Sequence, residues 1–184
     1  MSYVFKQPIE STFSNYHRIK LEGTSSFKST LGKTKFTVIG GTTIGETPLV
    51  SLFEGQGSSS RNMNLITTYG LGSYRYFETM LPITYYSDKH IGLFFRHSMP
   101  DIRINSKKKL YFSLVYKGLW GEISDETVQG VSFTVPRKVY QEIGLEWDNV
   151  IGVLPVGLGL YYRIGSYHQG NFGDNFAARI IVNL

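Results

Sequence analysis

In the stretch 154–164 the apolar residues fall on every second position: Leu154, Val156, Leu158, Leu160, Tyr162 and Ile164 alternate with Pro155, Gly157, Gly159, Tyr161 and Arg163. A period of two places these two sets on opposite faces of an extended strand, a pattern a helix with its 3.6-residue period cannot use. The alternation recurs. From 139 the positions Val139, Ile143, Leu145 and Trp147 oppose Tyr140, Glu142, Gly144 and Glu146, with only Gln141 out of place on the first face. Over 108–118 Leu110, Phe112, Leu114 and Tyr116 oppose Lys109, Tyr111, Ser113, Val115 and Lys117. At the C-terminus Phe176, Ala178, Ile180, Val182 and Leu184 oppose Asn175, Ala177, Arg179, Ile181 and Asn183. Nearer the start, Ile19 and Leu21 oppose Arg18, Lys20 and Glu22, and Phe36, Val38 and Ile44 oppose Lys35, Thr37 and Thr43. Over 76–85, Phe77, Leu81, Ile83 and Tyr85 oppose Tyr76, Glu78, Met80 and Thr84. In 90–96, Ile91, Leu93 and Phe95 oppose His90, Gly92, Phe94 and Arg96. The chain therefore reads as all-β, with one greasy face per strand.

The connections sharpen this into a topology. Short corners at 87–89 and 148–152 alternate with long polar or glycine-rich stretches at 45–62, 119–136 and 165–173. Strands of about ten residues joined short, long, short, long are what up-and-down antiparallel connectivity produces. About eight to nine strands are expected. They fall in a single domain over 16–184, after a lead-in over 1–15, and the corner at 87–89 is expected to turn a hairpin.

Two physical readings share that pattern. In a soluble barrel or sandwich the apolar face is the core, and an apolar ligand could sit inside. In an outer-membrane barrel the apolar face meets lipid and the polar, glycine-rich face fills the lumen. Strand length favours the second, because a tilted span needs about 9–11 residues. So do the aromatics near the expected strand ends, Tyr16, Tyr85, Tyr86, Tyr111, Trp147, Tyr162, Tyr167 and Phe176, where an interfacial girdle would lie. The ending "FAARIIVNL", an amphipathic strand, has the form of an outer-membrane assembly signal. On this reading Leu93, Phe95, Leu145, Leu158, Leu160, Ile180 and Val182 face lipid, position 112 being left unassigned, and Leu158→Arg is damaging while Gly157→Ser is mild.

Composition excludes several alternatives. With no cysteine, neither a disulfide framework nor a Cys-ligated metal is possible. The charge of +5 would suit an anionic partner, yet Lys107-Lys108-Lys109 is the only basic run. Aromatic and basic residues interleave in "YRYF" and "LYYRIG", but girdle and lumen positions explain them without nucleic acid. No spanning helix is present, and "MSYVFKQPIESTFSNYHRIK" lacks the basic and apolar regions of a secretory signal. The chain is then expected to be cytosolic, or a mature or partial piece whose targeting signal lies upstream.

No catalytic signature stands out. "GGTTIGET" puts Glu46 where a phosphate loop needs lysine, and in "LGKT" Phe27 takes the place of the first glycine. Ser58, Ser59 and Ser60 lack a nucleophile elbow. His90 and His97 fall on opposite faces, and with His17 and His168 scattered no metal site is expected. Glu142 and Glu146 share a face, but four residues of strand part them by roughly 13 Å, too wide for a glycosidase pair. The polar face nevertheless concentrates charge: Arg18, Lys20, Glu22, Glu78, Arg96, Lys109, Lys117, Glu142, Glu146, Arg163 and Arg179. In a narrow lumen these must pair, which makes them either a salt-bridged filling or the lining of a pore or polar ligand site. Glu78 is expected to partner Arg96.

The stretches "PLVSLFEGQGSS", "YYSDKHIGLFFRHSM", "YQEIGLEWDNVI" and "LPVGLGLYYRIG" resemble the C-terminal barrel region of a family of Gram-negative outer-membrane proteins of unassigned function. Longer members carry a carboxypeptidase-like regulatory domain ahead of the barrel, and the barrel is similar to that of the outer-membrane assembly-factor and surface-antigen superfamily. The resemblance implies a non-enzymatic outer-membrane barrel without cofactor. Its partners would be outer-membrane lipid, the barrel-assembly machinery during insertion, and an upstream domain of a longer chain. It also implies a long loop that tucks into the lumen with an Arg-Gly-aromatic motif; in the comparable loop here Arg61 is followed by Asn62.

Overall fold

The computed structural model describes residues 2–6, 16–45, 47–58, 70–71, 75–103, 109–124, 133–148 and 156–182. Eight strands form an up-and-down antiparallel sheet: β1 (Ser2–Lys6), β2 (His17–Ser29), β3 (Gly32–Ile44), β7 (Lys89–Ser98), β9 (Lys109–Glu122), β10 (Tyr140–Asp148), β11 (Val156–Gly165) and β12 (Phe176–Val182), each hydrogen-bonded to the next. Four short strands complete the set. β5 (Gly70–Leu71) lies parallel to the end of β12, β8 (Ile102–Arg103) pairs with the start of β9, and β4 (Phe53–Glu54) pairs with β6 (Tyr86–Ser87) off the main sheet. Among the described residues β1 and β12 do not pair with each other, so the sheet is barrel-like without closing on itself. Among the described residues helix is confined to one 3₁₀ turn at Leu49–Ser51 and to α1 (Phe172–Asn175). Within the 1–15 stretch β1 pairs its residues 2–6 with 18–22 of β2.

The short-long rhythm holds, and the corner expected at 148–152 falls between β10 and β11. At one end of the sheet β2 and β3 are joined by the two residues 30–31, and β10 and β11 by 149–155. At the other end β3 leads to β7 through 45–88, and β9 to β10 through 123–139. The hairpin expected at 87–89 is absent. β7 pairs with β3 on one side and β9 on the other, and the bend at Asp88 merely turns the chain from β6 into β7.

The two faces are inverted relative to a soluble sheet. Outward in register lie Leu21, Phe36, Ile91, Phe95, Leu114, Ile143, Leu158 and Ile180, each 36–49% exposed. Inward lie Lys117 at 1% and Glu142 at 0% exposure. Leu93, Phe112, Leu145 and Leu160 share the outward register and are half-buried; Val182 continues it in β12, its side chain lying outside the described set. Aromatics border this face: Phe112 meets Trp147 edge-on at one end, and Tyr162, Phe172 and Phe176 stack in series at the other. Tyr85 and Tyr167 do not join that border. They turn inward onto Tyr140, and burial pushes both hydroxyls above their ordinary pKa.

What buries the inward face is the connection between β3 and β7. Phe77 and Met80, at 1% and 0% exposure, form one cluster with Ile39, Tyr85, Phe94, Leu119 and Tyr140. Residues 76–85 are thus no strand with Phe77 facing outward; they run as turns and isolated bridges along the inside, leaving Ile83 exposed at a positive φ of 56°. Phe94 sits among charges in the inward register because its ring packs on Phe77, 5.6 Å away. Side chains from β7, β9, β10, β11 and β12 all reach 76–80. Five strands laid flat would span about 19 Å between the outermost two at ~4.8 Å each, so the sheet must curl around this segment.

Candidate functional site

The charges on the inward face form two groups. The first grips the turn at 76–79 from four consecutive strands. Glu142 of β10 accepts the backbone N–H of Glu78 at Oε1 (3.1 Å), and the N–H and hydroxyl of Thr79 at Oε2 (2.7 and 2.8 Å). Lys117 of β9 donates to the Tyr76 carbonyl (2.5 Å), lies 3.3 Å from Glu142 Oε1 and 3.5 Å from Glu78 Oε1, and places its ammonium 4.5 Å above the Tyr161 ring. Arg163 of β11 donates to the Thr79 carbonyl and spreads over the Tyr140 ring. Arg179 of β12 donates Nε to Glu78 Oε2 (3.0 Å) and Nη2 to the Glu78 carbonyl (2.7 Å). Ser58 donates a 2.5 Å bond to Glu78 Oε2, and the Tyr140 and Thr79 hydroxyls are 2.8 Å apart.

The second group lies further along the same face. Arg96 of β7 donates to Asp148 Oδ2 at 3.0 Å and stands 2.8 Å from Glu146 Oε2, without the angle of a hydrogen bond to the latter. The Tyr161 hydroxyl donates to the other oxygen of Glu146 (2.6 Å). Tyr161 therefore links the groups, with Lys117 over its ring and Glu146 at its tip. In the first group Lys117 and Arg179 face Glu78 and Glu142, with Arg163 on the Thr79 carbonyl and the Tyr140 ring; in the second Arg96 faces Glu146 and Asp148. Four cations balance four carboxylates. Balanced, directly paired charge is the condition for burying ions without a large desolvation cost.

Of the eleven charges read as inward from the sequence, Glu78, Arg96, Lys117, Glu142, Glu146, Arg163 and Arg179 meet in these two groups, but without the expected pair. Glu78 reaches Lys117 and Arg179, and Arg96 reaches Glu146 and Asp148; the Glu78–Arg96 pair does not form. Alternation had marked Lys117 as inward. Nothing in the sequence marked Thr79, Ser58, Tyr140, Tyr161 or Asp148 as their partners, or the backbone of 76–79 as what they hold. Side chains of 102–109 and all of 59–69 lie outside the described set, so neither Lys109 nor Arg61 is placed. The loop that tucks inward carries Arg75-Tyr76-Phe77 at its tip; Arg75 pairs with Glu22 of β2, its Nη1 at 3.0 Å from Oε2.

Chemically the arrangement holds the backbone of the 76–79 turn. Each carboxylate is occupied by donors from the protein, and among the described residues no three His, Cys, Asp or Glu side chains gather to bind a metal. His97 is held by Thr34 (2.9 Å from Nδ1) and the Leu31 carbonyl (3.1 Å from Nε2), near a strand end as its register implied. Comparison of the chain with protein-family models, with curated proteins and with solved structures returns no match to any of them.

Proposed function

We propose that the chain is a non-enzymatic outer-membrane β-barrel protein, or the barrel portion of one. Its outward face lies in lipid and its inner segment 76–80 fills the lumen. The observation that carries this reading is the inversion of the two faces: large apolar side chains stand exposed on the outside of the sheet while lysine, arginine and glutamate are buried inside. A water-soluble barrel has no physical reason for that arrangement, whereas lipid outside and a polar lumen require it. Of the two roles open to such a barrel, anchor and conduit, the filled lumen favours the anchor. Outer-membrane lipid is then the first partner, and the barrel-assembly machinery the one met during insertion.

The test is the solvent. The chain should need detergent to stay monodisperse, carry a detergent belt measurable by light scattering with refractive index, and float with lipid vesicles after an alkaline wash. A monomer stable in buffer with no bound detergent overturns the reading and favours a soluble β-domain. In a planar bilayer the wild-type chain should give no steady conductance.

A further inference from the structure

A cavity of about 290 Å³ lies between the wall formed by β2, β3 and β7 and the inner connection. Its lining is aromatic on one side, with Phe53, Phe77 and Phe94, and the His90 ring against Phe53 at 4.0 Å between centroids. Gly41 makes that stack possible, because a Cβ there would stand 2.5 Å from Phe53 Cζ and 2.8 Å from His90 Cε1.

The other side is cationic. Arg18 and Lys20 are two residues apart in the inward register of β2, both half-buried, and the Arg18 guanidinium lies 4.3 Å from the centre of the Phe53 ring. Arg75 also lines the cavity but is matched by Glu22, and the one lining carboxylate, Glu54, accepts the Ile83 N–H at 2.9 Å. Among the described residues neither Arg18 nor Lys20 has a carboxylate or hydrogen-bond partner, and the buried His90 Nδ1 has none either. The contrast with the charges over β9–β12 is sharp: there cations and carboxylates balance, and here two neighbouring cations face a cavity. Half-buried like charges repel, and a low-dielectric wall strengthens what an opposite charge would gain between them.

We propose that this cavity binds a small organic anion, with a flat apolar body on its aromatic side by Phe77 and Phe94 and a single anionic head between Arg18 and Lys20. The volume sits at the lower end of ligand pockets and suits a molecule of about two fused rings. This inference goes beyond the membrane reading and does not depend on it, since the cavity is bounded by the inner face alone. It can fail while the detergent belt is present, or hold while the belt is missing.

The probe is 2-naphthoate, titrated calorimetrically into the chain in a non-ionic maltoside, with empty micelles as the blank. Saturable one-site binding is expected. Arg18→Met and Lys20→Met should each weaken it about tenfold or more, the loss of one charge-assisted contact, while Lys33→Met on the exposed part of β3 leaves it unchanged. Naphthalene-2-methanol, which lacks the charge, should bind at least about tenfold more weakly, as should inorganic phosphate, which lacks the rings. Three results overturn the proposal: partition without saturation, equal binding of acid and alcohol, or unchanged binding by both β2 variants with wild-type circular dichroism. Phosphate binding as tightly as naphthoate overturns the aromatic half of the assignment.

Discussion

Replacing Glu142 by glutamine removes a charge while keeping the side chain's length, and the cost is set by the groups around Glu142. Its two oxygens accept three donors from Glu78 and Thr79 and face the Lys117 ammonium. An amide has one acceptor oxygen. Turned toward Thr79, it points its NH₂ at the Glu78 N–H and at Lys117, donor against donors. A buried N–H left without an acceptor costs about 1–3 kcal/mol, and breaking a buried ion pair from one side about 3–5 kcal/mol. Lys117 keeps the Tyr76 carbonyl and Glu78 as partners, so the lower end of the second range applies. Glu142→Gln should cost about 3 kcal/mol, roughly a hundredfold in the unfolding equilibrium.

Urea unfolding in non-ionic detergent, monitored by tryptophan fluorescence, reads this directly: with a slope of about 1–3 kcal/mol/M, the midpoint should fall by about 1–3 M. Lys117→Met supplies the partner arm of a double-mutant cycle, and the double variant should be less destabilised than the two singles added, by about 1–3 kcal/mol. Protease should also cut 75–80 in the variant before the sheet unfolds. A Glu142→Gln midpoint equal to wild type, with 75–80 equally protected, refutes the idea that this pair holds the segment. Strict additivity refutes the coupling.

Other perturbations separate the faces. Leu160, paired with Leu145 and Ala178 at the middle of the sheet, should lose about 2–4 kcal/mol as arginine; Leu158, nearer the strand end, should lose less, both read as folding yield into vesicles. Gly157→Ser is not the mild change its inward register suggests. A Cβ there would stand 2.5 Å from the Trp147 carbonyl, so a cost of about 1–3 kcal/mol is expected, measured as a lower urea midpoint. Arg96→Met strands Glu146 beside Asp148 and should lower stability by about 1–3 kcal/mol, read as a lower urea midpoint; a midpoint equal to wild type contradicts the pairing.

Alternation encodes which solvent each side of a strand meets, and it made legible only what depends on that. For β3, β7 and β9–β12 the two registers read from the sequence are the two faces observed, because a strand with unlike solvents on its sides must alternate. Alternation failed at 76–85. Phe77, Leu81, Ile83 and Tyr85 alternate by coincidence, Thr79 breaks the register between them, and Pro82 comes directly after Leu81. That segment is buried against side chains from many strands, a condition in which period carries no information. The ion pairs were illegible for a related reason: Glu78 and Arg96 are neighbours along the chain, yet β7 pairs with β3 and β9, so the charges nearest Glu78 in space belong to strands made later.

That order has a temporal consequence. Glu78 is synthesised before Lys117, Glu142, Arg163 and Arg179, the strand residues that grip its turn, and its ion-pair partner Arg179 comes 101 residues later. Contacts of such long range carry a high loop-closure cost and form slowly. Until β12 is in place, the turn at 76–79 lacks part of its grip and the sheet's inner charges stand without their full complement. A chain halted before Arg179 should therefore persist as an unlocked intermediate exposed to proteases and to other unfinished sheets.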